Sequence, residues 1–221
     1  MRSLFRLFVV VMPWRLKRFV LRSIYGYDVH ASARIGLAWV FPTRLVMSAH
    51  SSIGHLTVCK GMELLCLGEH ASVGRLNWIS AYPLDQPPHF AHIPGRKPQL
   101  IVGEHAAITH RHIIDCTDEV AIGAFATLAG YRSQILTHSI DLAECRQHAG
   151  PVRIGRYSFV GTACTMLGGT VVPDYSVVGA QALLNKVYDQ SYRLYAGVPA
   201  RAVSELDPGM KYFTRTDGYV V

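Results

Sequence analysis

From Ile154 onward every sixth residue is apolar, through Val160, Met166, Val172, Val178 and Leu184. A second signal keeps step with the first. Four residues after each apolar position stand Ser158, Cys164, Thr170, Ser176 and Ala182, with only Tyr188 large, and glycine follows the apolar residue at Gly155, Gly161 and Gly179. The resulting motif, apolar, Gly, x, x, small, x, matches neither the 3.6-residue period of a helix nor the two-residue alternation of a half-buried strand. It matches a solenoid of short strands, in which one apolar side chain per hexad points to the axis and a small residue fits each corner. Three hexads close one triangular coil.

Hexads recur upstream with interruptions: Val29 and Ile35; Leu67-Gly68, Val73-Gly74 and Ile79; Val102-Gly103, Ile108 and Ile114; Ile122-Gly123 and Leu128. About six or seven coils fit between residues 29 and 188, a prism roughly 30 Å long at about 4.8 Å per coil. Two segments break the phase, 80–100, which holds five prolines, and 134–151. Insertions can leave a solenoid only as loops, and loops on a rigid scaffold are where chemistry concentrates. The repeat stops after Leu184, so the chain divides into an arm (1–27), an all-β solenoid domain (28–203) and a short C-terminal tail (204–221).

The chain carries 22 Lys+Arg against 15 Asp+Glu, an excess that alone would favour a nucleic-acid partner. Its distribution argues otherwise. Six cations (Arg2, Arg6, Arg15, Lys17, Arg18, Arg22) precede the first acid, Asp28, so residues 28–221 are nearly neutral and nucleic acid is not expected. The arm interleaves these cations with Leu4, Phe5, Leu7, Phe8, Val10, Val11, Trp14, Leu16, Phe19 and Val20. Such a basic amphipathic helix either caps the open end of the solenoid or lies on an anionic membrane through residues 1–22; capping is the expected role. The apolar run Leu7–Met12 is too short to span a bilayer, and no small-residue cleavage site follows it. Five cysteines (Cys59, Cys66, Cys116, Cys145, Cys164) form no C-x-x-C pair and read as reduced thiols, which points to the cytoplasm, at most at the inner face of the membrane.

The run IGRYSFVGTACTMLGGTVVPDYSVVGAQALLNKV, followed by YAGVPARAV and preceded by a loop with LTHSID, resembles the hexapeptide-repeat acyltransferases. The nearest pattern within that family is that of galactoside, maltose and surface-polysaccharide O-acetyltransferases. The resemblance implies a left-handed parallel β-helix; the left hand comes from it alone, because general connection rules favour the right. It further implies a homotrimer with sites between neighbouring prisms. The implied reaction moves an acyl group, acetyl foremost, from acyl-CoA to a hydroxyl or amine of a sugar in surface-polysaccharide or glycolipid assembly.

Acyl transfer to an alcohol needs a base at the attacking oxygen, and imidazole titrates in the right range. The resemblance places that base at His138; Asp141, three residues on, or Asp115 is the candidate carboxylate to accept from its other ring nitrogen and fix its tautomer, as orienting carboxylates do elsewhere. By motif position Thr162 and Ala180 would line the pantetheine arm of coenzyme A, and Lys186 and Arg201 would meet its phosphates. His110 and His112 are candidates for acceptor binding. With His105 they also resemble the histidine spacing of γ-class carbonic anhydrases, so a metal-dependent hydratase is one alternative, although no metal is expected on the main reading. A non-catalytic β-helical scaffold is the other.

Overall fold

The computed structural model describes residues 2–85 and 89–220. Its body is a three-faced prism of short parallel strands. The first face starts at Asp28–Val29 and ends at Val171–Val172, the second starts at Arg34–Ile35, and the third runs from Trp39–Phe41 to Leu183–Leu184. Each face receives every third strand, so seven complete coils stack in register. On the second face, for example, Ile35, Ile53, Val73, Ile108, Leu128, Val160 and Val178 are successive rungs. All are buried along the axis. The glycines after the apolar positions have a steric reason: a Cβ on Gly123 would lie 2.5 Å from the backbone nitrogen of Arg156 in the next coil.

Three edges separate the faces. The first edge joins the first face to the second, the second edge joins the second face to the third, and the third edge leads to the next coil. Small corner residues Ala33, Ser51, Ala71, Ala106, Ala126, Ser158 and Ser176 are buried at the first edge. Immediately before most of them stands an aromatic ring in the left-handed backbone region: His50, His70, His105, Phe125, Tyr157 and Tyr175, continued by Tyr192, with φ between 54° and 59°. Residues with a Cβ resist that region. Here each turn is held by its N–H donating to the preceding coil, to the Ser32 hydroxyl from His50 and to a backbone carbonyl from the others, as from Phe125 to Glu104, and the rings form one continuous stack with centroids 4.6–5.4 Å apart.

The phase breaks are shorter than the sequence implies. Trp78–Ser80, Gln99–Val102 and Gln134–Leu136 are regular strands of the prism, so the excursions comprise roughly residues 81–98 and a hairpin of His138–Asp141 with Arg146–Ala149. Both leave from the third edge. The prism also extends past Leu184, since Arg193–Gly197 adds to the second face and Ala200–Glu205 pairs with it antiparallel. The remaining tail folds back along the first edge. Phe213 packs edge-on against Tyr175 and Tyr192, Arg215 lies over Phe125 and Tyr157, and Gly218 reaches His105.

The arm forms two helices, Arg2–Val11 and Trp14–Ser23, separated at Pro13. Val9, Val20 and Leu21 are buried against the first coil, so this side caps the prism. Lys17 is buried too. Its Nζ donates to the carbonyls of Gly36 (2.7 Å) and Val10 (3.3 Å), and burial lowers its pKa to about 8. Among the described residues no helix is long and apolar enough to cross a membrane.

Candidate active site

The hairpin begins where the third face ends, and this places His138 on the third edge one coil beyond Asp115. The His138 Nδ1 lies 2.7 Å from the Asp115 Oδ2. A carboxylate only accepts, so Nδ1 carries the proton and the Nε2 lone pair is left free on an exposed ring. Asp115 is buried and fixed from every side. Its Oδ1 accepts from the Thr117 N–H and hydroxyl, and its Oδ2 from the Thr137 N–H, the Thr137 hydroxyl and the His138 N–H. Burial alone would raise the carboxyl pKa, but the bonds from His138, Thr117 and Thr137 outweigh it and hold the value at about 2. The bond to Asp115 in turn raises the His138 pKa, against a smaller opposing effect of burial.

The excursion over residues 81–98 covers the same place. Arg96, almost fully buried, donates to the carbonyls of Thr117 (2.6 Å), Tyr82 (2.7 Å) and Pro83 (3.1 Å), which ties the excursion to the coil corner behind Asp115. Its guanidinium lies 4.5 Å from the centre of the Phe90 ring, and Phe90 meets His138 edge-on at 6.2 Å. His92 Nε2 is 2.7 Å from the Gln147 carbonyl, so the two excursions close on each other around His138. The sequence offers no spacing signal for Arg96 or Phe90, since they act through contacts between segments far apart in the chain.

Several expected site residues lie elsewhere. Asp141 does not meet His138; its Oδ1 accepts from Ala143 and Glu144 N–H and caps the hairpin turn. His112 is not free to bind an acceptor. It occupies a buried corner of the second edge, where Nδ1 accepts from Ser133 N–H (3.1 Å) and Nε2 lies 3.0 Å from the Thr109 hydroxyl, and burial lowers its pKa to about 4. His110 sits outside the same edge, with Nδ1 accepting from Arg75 N–H (3.0 Å) as His55 does from Leu37 N–H. The structure therefore gives His110 a backbone-bracing role away from His138. With His105 in the first-edge stack, the three histidines of the hydratase alternative face three different surroundings.

The expected donor residues divide between two edges. Thr162 and Ala180 are exposed on successive coils of the second edge, where the Thr162 hydroxyl exchanges bonds with the Tyr131 backbone. Arg201 pairs with Ala196 near the end of that edge, whereas Lys186 lies on the third edge, its Nζ 5.5 Å from the centre of the Tyr188 ring. Toward the N-terminal end, the second edge also presents Arg75, Arg111 and Arg132 on three consecutive rungs, all exposed. Sequence spacing does not reveal this row, because the Pro-rich excursion separates Arg75 from Arg111. Between the two edges the third face exposes Trp78, Ile113 and Leu167.

No protein-family profile matches this sequence, and no curated protein matches it. Solved structures do. A hexapeptide transferase family protein from Anaplasma phagocytophilum is 18% identical with a TM-score of 0.50, covering 85% of this chain and 82% of that one. The N-acyltransferase AntD from Bacillus cereus, in complex with dTDP and coenzyme A, is 14% identical with a TM-score of 0.54, covering 86% and 89%. The polysialic acid O-acetyltransferase OatWY is 19% identical with a TM-score of 0.53, covering 81% and 84%. These likenesses show the fold, a left-handed parallel β-helix.

Proposed function

We propose that the chain is an acyl-CoA-dependent acyltransferase, with acetyl the preferred group, acting on a hydroxyl or amine of a sugar in surface-polysaccharide or glycolipid assembly in the cytoplasm. The observation that carries this reading is the Asp115–His138 pair, with Nε2 open between two excursions. His138 Nε2 takes the proton of the acceptor as its oxygen or nitrogen attacks the thioester carbonyl. A tetrahedral intermediate forms, its C–S bond breaks, and the imidazolium returns the proton to the departing thiolate as free CoA. Asp115 holds the tautomer and stabilises the imidazolium between these steps. The likeness to an N-acyltransferase and to an O-acetyltransferase of a sugar polymer supports the reaction class and leaves the attacking atom open to either chemistry.

In this reading three copies pack around a common axis, and the third edge of one chain faces the second edge of its neighbour. His138 and Lys186 then share a cleft with the neighbour's Thr162, Ala180 and Arg201, which would hold coenzyme A, and the exposed apolar third face supplies the contact. The arginines Arg75, Arg111 and Arg132 suit an acceptor that itself bears a carboxylate or phosphate. The test is a screen of acyl-CoA donors and sugar acceptors following free CoA release. A pair that turns over with the wild type should lose about 10²- to 10⁴-fold in rate with a folded His138→Ala variant. Wild-type turnover by that variant ends the assignment.

A further inference from the structure

Among the described residues, the side of the N-terminal arm that faces away from the prism has no partner, and it is rich in large apolar side chains and arginine. Leu4, Phe8, Val11 and Phe19 are each about two-thirds exposed (67%, 65%, 66% and 65%). Leu7, Leu16 and Ile24 are also well exposed. Large apolar side chains exposed singly are ordinary on a protein surface, but these seven within 21 residues of two short helices mark an interaction surface. On the second helix Arg15, Arg18 and Arg22 follow one another along one side and, with Phe19, Tyr27 and Asp28, line an open cavity of about 570 Å³, three cations against one carboxylate. No acidic residue occurs before Asp28.

We infer that this outward side is a docking surface for an anionic lipid bilayer: the phenylalanines and leucines enter the boundary of the acyl region, and the arginine-lined cavity receives lipid phosphate groups. The same arm therefore both caps and docks, because the two tasks use opposite sides. Val9, Val20 and Leu21 point inward, and Lys17, spent on the Gly36 and Val10 carbonyls, is withdrawn from the docking side. Charge and apolarity together select the occupant. A nucleic acid would answer the arginines but not the phenylalanines, and a purely apolar groove on a protein would not answer the arginines. An interfacial amphipathic helix uses both, with apolar burial and attraction to anionic headgroups adding.

The test is co-sedimentation of the full chain with phosphatidylcholine vesicles prepared with and without phosphatidylglycerol, at low and high salt. The intact protein should pellet with the anionic vesicles, and salt should release it. Phe8→Glu/Phe19→Glu, which leaves the inward side untouched, should abolish binding with no change in melting temperature. Arg15→Gln/Arg22→Gln should weaken binding to anionic vesicles roughly thirtyfold while leaving binding to neutral ones unaltered. The inference is overturned if the intact chain stays in the supernatant with anionic vesicles, or if the double Glu variant still binds. It is also overturned if sedimentation velocity shows that those phenylalanines hold copies of the chain together instead. None of these readouts depends on transferase activity.

Discussion

At the scale of single residues, Asp115 accepts six bonds, from Thr117, Thr137 and His138, more than any other carboxylate among the described residues. Its pKa is depressed, so the stabilisation it gives is complete above the ordinary carboxylate range and is lost as pH falls through about 2. His138 is shifted upward by its partner, so its contribution is complete below the usual imidazole value and fades as pH rises through the raised one. The base works only when neutral. The acid limb of kcat/KM should therefore lie above pH ~6.5 in the wild type and move to lower pH in Asp115→Asn, with a rate loss of about 10²-fold or more. A pH profile of kcat/KM, paired with NMR titration of the His138 ring, checks this; an unmoved acid limb removes Asp115 from its positioning role. The sequence offered Asp141 and Asp115 equally, because the choice between them is made by the step from one coil to the next. The same step turns His112, which reads as part of a surface cluster, into a buried corner.

At the scale of elements, the hexad pattern made the prism legible because its core is local: each inward residue is fixed by its own place in the period. Contacts between distant segments were not legible. The excursions meet through His92 and Gln147, and the tail returns over coils formed some 90 residues earlier in the chain, as Arg215 on Phe125 shows. The first-edge stack was written in the sequence as Gly-x-aromatic-small, in Gly68–Ala71, Gly103–Ala106, Gly123–Ala126 and Gly155–Ser158. Its meaning emerges only when the coils bring those rings together. Phe213 anchors the returning tail, buried among Tyr175, Tyr192 and Tyr212. Phe213→Ala should cost about 3 kcal/mol, read as a lower denaturation midpoint, with the proposed turnover at the other two edges unaffected. A loss near zero would mean that the tail adds nothing to the prism.

At the scale of the whole molecule, the two edges that carry the candidate site cannot meet within one chain, since the third face lies between them. Lys186→Ala and Arg201→Ala should each raise the KM for acyl-CoA more than they lower kcat, because phosphate contacts bind ground and transition states alike. A mixing experiment tests the shared site directly. His138→Ala chains and chains blocked by Ala180→Trp should be inactive separately and regain activity when dissociated and reassembled together; absence of any recovery would place the whole site within a single prism. The first-edge stack also runs nearly the full length of the prism, with neighbouring planes within 18° of parallel. Rings so close and so aligned couple their electronic transitions, so the three tyrosines at the C-terminal end should give the native protein a strong near-ultraviolet circular dichroism band. Because the coupling exists only between coils in register, unwinding from that end would extinguish the band while most of the far-ultraviolet signal persisted, and the prism would report optically on which of its ends opens first.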